Sequence, residues 1–300
     1  MNFAVCLITM DTVFKTFHFN IDATIGEDTY LIPFGDVHRD TPSCDVDRWN
    51  WFRENCKKYP KDKTWYLGMG DFNDFASSRE QKILADPKLH DETKKKLDSI
   101  IERDNRRFAN EISFMRGRLI GVLDGNHNWV FRDGTTATQD LCERMNAPYL
   151  GWLSWVELRI KLLYKTGKEK SKGTTDIRIF IVACHGKAGG KLMGTSINQV
   201  DDLVKIFPVA DIYIQGHDHQ RYAVPKSILI PGVNGAEIKQ KRQFLARSGS
   251  FKKGYCEGVS GYEVGRLLRP SDLGAVVFEI SVHRDLRDTD RLILDISAII

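Results

Sequence analysis

What most restricts the fold of this chain is a local pattern that occurs five times. An apolar run ends in a small or tight-turning residue, and a side chain able to hold a metal follows. The runs are YLIPFGDVH, WYLGMGDFND, LIGVLDGNH, IFIVACHG and DIYIQGHDH. In layered α/β folds, sites form where strands end and loops begin. Strands ending in Asp, Asn or His therefore point toward one shared rim. From Asp36 to Asp71, Asn126, His185 and His217 the successive gaps are 35, 55, 59 and 32 residues, each long enough for a crossover connection. Asp36 and His38 are two apart, as are His217 and His219. On extended backbone such pairs project to the same side, with Cα atoms about 6.6 Å apart, and Asp218 between the histidines points away. Gly35, Gly70, Gly125 and Gly216 permit the sharp turns that present the next side chain.

Between these runs the periodicity alternates between helix and strand. Strand-like runs cover Val13–Ile21 and Thr29–Phe34. Pro33 cannot donate to a ladder, so the second is expected to be irregular or to have one free side there. Arg48–Lys57 reads as a helix and Lys63–Met69 as a buried strand. A long helical segment capped by Asp91 reaches about Met115, with Leu97, Ile100, Ile101, Phe108 and Ile112 near one face. Arg118–Leu123 is a strand and Thr135–Met145 a helix. Val156, Leu158, Ile160 and Leu162 alternate with polar residues as in a half-buried strand, which the loop Lys165–Gly173 turns into a second strand, Asp176–Cys184. Ile197–Phe207 reads as a helix and Ala210–Gln215 as a strand. The remainder is mostly β, at Gln243–Ser248, Ala275–Val282 and Arg291–Ile296. The fold class is α/β (α+β), with layers around two packed sheets, and residues 1–300 read as a single domain.

At 300 residues the chain buries a sizeable core without disulfides or a structural metal. Its 6 cysteines are scattered, with no C-x-x-C pair, which fits a reducing, cytoplasmic setting. The opening MNFAVCLITMD lacks a basic start and reads as a strand rather than a signal peptide. No apolar run approaches the length of a transmembrane helix, so no membrane partner is expected. With 44 basic against 40 acidic residues, a net charge of +4 does not by itself argue for nucleic acid.

The ordered set D-x-H, G-D-x-x-D, G-N-H, a lone His and G-H-x-H resembles the signature of the calcineurin-like metallophosphoesterase superfamily. Here it reads Asp36-Val37-His38, Gly70-Asp71-Phe72-Asn73-Asp74, Gly125-Asn126-His127-Asn128, His185 and Gly216-His217-Asp218-His219. Asn128 departs from the usual Asp or Glu. The resemblance implies a four-layer β-sandwich flanked by helices, with a dinuclear metal site at strand ends. One metal would be held by Asp36, His38, Asp71 and His219. The other would be held by Asp71, Asn126, His185 and His217, with Asp71 bridging. The donor set suits borderline divalent ions, manganese first, with iron, zinc, nickel and magnesium also compatible. Two such ions about 3.5–4 Å apart lower the pKa of a shared water and neutralise phosphate oxygens during in-line attack. His127, in family members beside the leaving-group oxygen, reads as the general acid, and Asp74 as the carboxylate that orients it.

The resemblance therefore implies a metal-dependent hydrolase of phosphoric esters. Within that class the residues lean toward a phosphodiesterase, with nucleic acid, hence a nuclease, among the candidates. Protein Ser/Thr phosphatases of the superfamily carry Arg-Gly after G-D-x-x-D, whereas Phe75-Ala76 stands here. Trp129, Phe131 and Arg132 follow the G-N-H motif and either line the substrate mouth, by stacking and phosphate contact, or simply pack. Lys165, Lys168, Lys170 and Lys172, and likewise Lys239, Lys241 and Arg242, are solvated faces or phosphate contacts. Cys184, preceding His185 on a strand, is expected to face the opposite side and reads as core. The runner-up is a small-molecule phosphomonoesterase or cyclic-nucleotide phosphodiesterase. A reading of another class is a non-catalytic metal-binding scaffold, against which stands the presence of all seven ligand positions and His127. The oligomeric state is open.

Overall fold

The computed structural model describes residues 16–76, 80, 91–166, 169–187, 190–232, 235, 237–257, 262–286 and 292–300. In chain order the elements are β1 (Phe17–Thr24), β2 (Asp28–Phe34), α1 (Val46–Cys56), β3 (Thr64–Gly68), α2 (Asp91–Glu111), β4 (Leu119–Leu123), α3 (Ala137–Met145), β5 (Tyr149–Gly151) and β6 (Leu153–Thr166). There follow β7 (Glu169–Cys184), α4 (Met193–Ile206), β8 (Ile212–Gln215), β9 (Arg221–Pro231), β10 (Ile238–Ser248), α5 (Tyr262–Arg266), β11 (Val277–Arg284) and β12 (Leu292–Ile299).

Two six-stranded sheets form, in the orders β1-β6-β7-β8-β10-β9 and β12-β11-β2-β3-β4-β5. The two-residue period of a strand sends alternate side chains to opposite faces. Ile181, Ala183, Ile212 and Ile214 enter the core between the sheets, where they meet Leu31, Leu67 and Ile120. Their neighbours Val182, Cys184 and Tyr213 face outward and are covered by Val200, Leu203 and Val204 of α4. On the outside of the other sheet Ile32, Phe34 and Tyr66 are covered by Trp49, Phe52, Phe108 and Leu141 of α1, α2 and α3. Helix, sheet, sheet and helix thus stack as four layers. Cys184 is buried as expected, in the apolar layer beneath α4, and burial pushes its thiol up to about 11.

Local chemistry explains several element ends. Gln139 N–H donates to the Thr136 hydroxyl at 3.1 Å while Thr136 N–H donates to the Gln139 amide oxygen at 2.8 Å, a reciprocal cap that starts α3. Pro33 pairs only toward β3, because the β11 ladder ends at Leu31, so its missing donor faces no strand.

Other expectations are corrected. Lys165–Gly173 is not a loop: β6 runs to Thr166, β7 resumes at Glu169, and the two pair through Thr166 and Glu169. The side chains of that basic run, and residues 13–15 and the opening MNFAVCLITMD, lie outside the described residues. Ile100 is exposed rather than part of the α2 contact face. Strand β9 carries Pro225, which obscured it. It is the outer strand of its sheet, where a missing N–H is tolerated. No described helix is long and apolar enough to cross a membrane.

Candidate metal centre

Strands β2, β3 and β4 are parallel neighbours and end side by side, as β7 and β8 do in the other sheet. The five motifs therefore meet on one rim, and their backbones tie them together. Asp36 N–H donates to Gly70 O at 2.9 Å, and His38 N–H to Asp71 O at 3.1 Å. His127 N–H donates to Asp71 Oδ1 at 2.9 Å, and His217 N–H to Asp36 Oδ2 at 2.9 Å.

These residues do not sit on extended backbone. Asp36, His38, Asp71, His217 and His219 all adopt left-handed conformations, with φ of +48°, +46°, +50°, +66° and +53°. The i, i+2 spacing still brings each pair to the rim, but by a turn past the strand end rather than by the pleat. A left-handed non-glycine residue costs about 1–2 kcal/mol. Such conformations persist where surrounding contacts over-determine them, and they gather at functional sites. The glycines act differently from expectation as well. Gly70 has φ of +91°, but Gly125 is needed for space: a Cβ there would lie 1.9 Å from Asp71 Oδ1. Asp218 points away from the cluster, as expected. Its carboxylate accepts from the Ser196 hydroxyl and from Arg269 Nη2, while buried Arg247 donates to Gly216 O at 2.6 Å behind the same turn.

All seven side chains expected as ligands converge. Asp36, His38 and His219 form one group able to hold a cation, and Asp71, His185 and His217 another. His219 Nε2 is 3.5 Å from Asp36 Oδ1, and His38 Nε2 is 3.9 Å from Asp71 Oδ2. Around His185 Nε2 lie Asp71 Oδ2 at 3.1 Å, Asn126 Oδ1 at 3.1 Å and His217 Nδ1 at 3.3 Å. His185 Nδ1 donates to Met69 O at 2.8 Å, which leaves Nε2 as the ligating atom. Asp36 Oδ1 and the Nε2 of His38 are buried without a hydrogen-bond partner. Such orphans cost about 1–3 kcal/mol each, a cost that coordination removes. The donor set therefore fits divalent metal.

Protons stand in for that charge in the metal-free protein. Burial pushes the His185 imidazole down, but Asp71 and Asp36 outweigh it and lift it to about 9. Burial, helped by the nearby His185 cation, lowers His217 to about 4. Burial likewise lowers His38. Metal binding needs neutral imidazoles. At neutral pH, adding manganese to metal-free protein is therefore expected to release about one proton from His185, and the release should fade as pH rises through about 9. A pH-indicator titration in weak buffer measures it. Uptake of metal at neutral pH with no proton release would contradict His185 as a ligand.

A third group joins Asp74, His127 and His38. Asp74 Oδ1 contacts His127 Nδ1, and Asp74 Oδ2 lies 3.5 Å from His38 Nδ1. Burial pushes Asp74 up, but the hydrogen bonds from His127 and His38 outweigh it and hold the carboxyl well below its usual range. Burial pushes His127 down, but the bond to Asp74 and the charge of Asp71 raise it above the ordinary histidine value.

Trp129 and Arg132, expected at the substrate mouth, are not brought there. Trp129 is 7% exposed. Its indole N–H donates to Asp98 Oδ1 of α2 at 2.8 Å, and Arg132 Nε donates to Asp98 Oδ2 at 2.9 Å. The buried carboxylate draws both away from the rim. Phe131 packs beside Trp129 in the same small cluster. Lys239 and Lys241 pair with Glu237 and Asp211 at 2.7 and 2.8 Å.

A cleft of about 380 Å³ opens on the rim, lined by His38, Asp71, His127 and His219, and on its far wall by Lys252 and Arg269. The wall was missed in the sequence because no motif marks it. Phe251 N–H donates to Asp36 O at 3.0 Å, which carries Lys252 to the site. Asn128 Nδ2 donates to Asp124 Oδ1 at 2.8 Å, so its amide braces the strand end.

No family model and no curated protein matches the chain. Among solved structures it is similar to Vps29 of Chaetomium thermophilum, with 11% identity over 90% of this chain and 97% of that one, at a TM-score of 0.33. It is also similar to a conserved uncharacterised protein, a predicted phosphoesterase, of Streptococcus pneumoniae TIGR4, with 12% identity over 91% of this chain and 90% of that one, at a TM-score of 0.32. What points to a chemistry is the set of seven assembled side chains.

Proposed function

We propose that this chain is a metal-dependent hydrolase of phosphoric esters. Asp36, His38, Asp71 and His219 would hold one divalent ion, and Asp71, Asn126, His185 and His217 a second. The observation that carries this reading is the convergence of these donors, with buried atoms of Asp36 and His38 unpartnered, beside an imidazole paired to a carboxylate. Divalent ions bound there neutralise phosphate oxygens and bring the pKa of a water toward neutrality. The chain's own residues do the rest. Asp74 holds His127 by Nδ1 and favours its protonated form, leaving the Nε2–H for a leaving-group oxygen. The tie from His127 N–H to Asp71 keeps that acid in step with the ligand.

Within this class we place phosphodiesters ahead of monoesters. A monoester dianion needs strong charge matching at its terminal oxygens. Here Lys252 shares its charge with Glu263 at 3.7 Å and Arg269 with Asp218 at 3.1 Å. A diester carries one negative charge and needs room for a second substituent, which the 380 Å³ cleft supplies. With added manganese, kcat/KM for bis(para-nitrophenyl) phosphate is expected to exceed that for para-nitrophenyl phosphate by at least about tenfold, a barrier difference of about 1.4 kcal/mol. The opposite preference would overturn the diester placement and leave the metal reading intact. Full activity after exhaustive chelation would overturn the metal reading. Tight metal binding with no turnover of any phosphoester would favour a scaffold.

A further inference from the structure

Trp152 stands where the chain crosses from β5 in one sheet to β6 in the other. It is 45% exposed, as Trp51 is at 54%, whereas Trp49 is fully buried and Trp129 nearly so. A large aromatic side chain left in water forgoes the burial that Trp49 and Trp129 obtain. Singly exposed apolar residues are common and need no explanation. This one is distinguished by its mounting. His185 N–H donates to the Trp152 carbonyl at 3.1 Å, and the indole meets the His185 imidazole at 5.2 Å between centroids and 78° between planes. The indole is thus held one ring away from the Asp71–Asn126–His185–His217 donors by both backbone and ring contact.

Its position relative to the acid is also informative. His127 packs against His38, at 5.0 Å between centroids, and so belongs with the Asp36–His38–His219 group. Trp152 belongs with the other group. A phosphate held between the two groups would have His127 toward its leaving group and Trp152 toward the substituent it keeps.

We infer that Trp152 is a stacking platform for the retained substituent, and that the esters this site takes are those of nucleosides, whose flat bases offer the matching face. The inference rests on the phosphoester reading and deepens it. Stacking on an exposed aromatic is tolerant of base identity, because every base has a π-face. The product would be a nucleoside monophosphate.

The test compares two diesters with the same leaving group, the para-nitrophenyl ester of thymidine monophosphate and methyl para-nitrophenyl phosphate. In Trp152→Ala the ratio of their kcat/KM values is expected to fall about 5- to 100-fold against the wild-type chain, the usual worth of one stacked base. Trp152→Phe should restore most of it, and bound metal should be unchanged in both variants. An unchanged ratio overturns the inference, as does an equal loss on both esters with loss of metal, which would make Trp152 a prop for His185. Calorimetric binding of thymidine monophosphate and methyl phosphate to the manganese-loaded protein separates the two proposals. If the wild-type chain turns over neither diester yet binds the nucleotide more tightly in a Trp152-dependent way, the stacking site stands and the hydrolase reading falls. If it does neither, both fall.

Discussion

Asp71→Ala is expected to bind neither metal ion appreciably and to lose all measurable hydrolysis. The Asp71 carboxylate faces both halves of the site. Its Oδ2 lies 3.1 Å from His185 Nε2 and 3.9 Å from His38 Nε2, and its Oδ1 accepts from His127 N–H at 2.9 Å. A carboxylate has two oxygens and can serve two cations, whereas an imidazole or an amide oxygen serves one. Removing a residue that merely supports a ligand costs about 10–100-fold in metal affinity, so removing a shared ligand should cost more than about 100-fold. The substitution also removes the anion that keeps His185 charged, and so leaves histidines facing one another in a buried space. Asp71→Asn preserves shape and one oxygen, and should keep the fold with much weaker metal binding. Metal content by atomic emission, checked against circular dichroism, measures the effect. A well-folded Asp71→Ala chain that retains two ions would refute the bridging role.

The second large effect separates binding from chemistry. His127→Ala should keep its metals yet lose roughly 10²–10⁴ in kcat, the usual share of a general acid. The metals are spared because the bond to Asp71 comes from the backbone of His127 and not from its ring. The loss should shrink for a nitrophenyl leaving group, which departs without a proton, and should be full for an alkyl one. Since Asp74 raises the imidazole above its usual value, wild-type activity on an alkyl ester should fall as pH rises through that raised value. His127→Ala should lack this alkaline limb. Loss of metal from the variant would instead make His127 a ligand, in the group it already forms with His38 and Asp74.

Much of the site was legible before any tertiary contact was known. The apolar runs that precede Asp36, Asp71, Asn126, His185 and His217 are buried strands, because alternation and strand length are local properties of the chain. Donor types at strand ends are equally local. Other features depended on partners far along the chain. Trp129 directly follows the motif that ends at Asn128 while Trp152 lies 24 residues beyond it, yet it is Trp152 that the fold brings to the rim. Asp98, 31 residues before Trp129, draws its indole N–H into α2, while His185, 33 residues after Trp152, holds that indole on the rim. Lys252 reaches the cleft only because Phe251 is tied to the Asp36 carbonyl. Extended backbone was the natural expectation for the paired ligands. The left-handed turns that present them are held by hydrogen bonds between motifs, from Asp36 to Gly70 and from His217 to Asp36. Residue order alone determined which side chains end the strands, since that follows from the local pattern. Only the packed structure decided which aromatic and cationic groups share the rim with them, because burial and hydrogen-bond pairing are settled between segments distant in sequence.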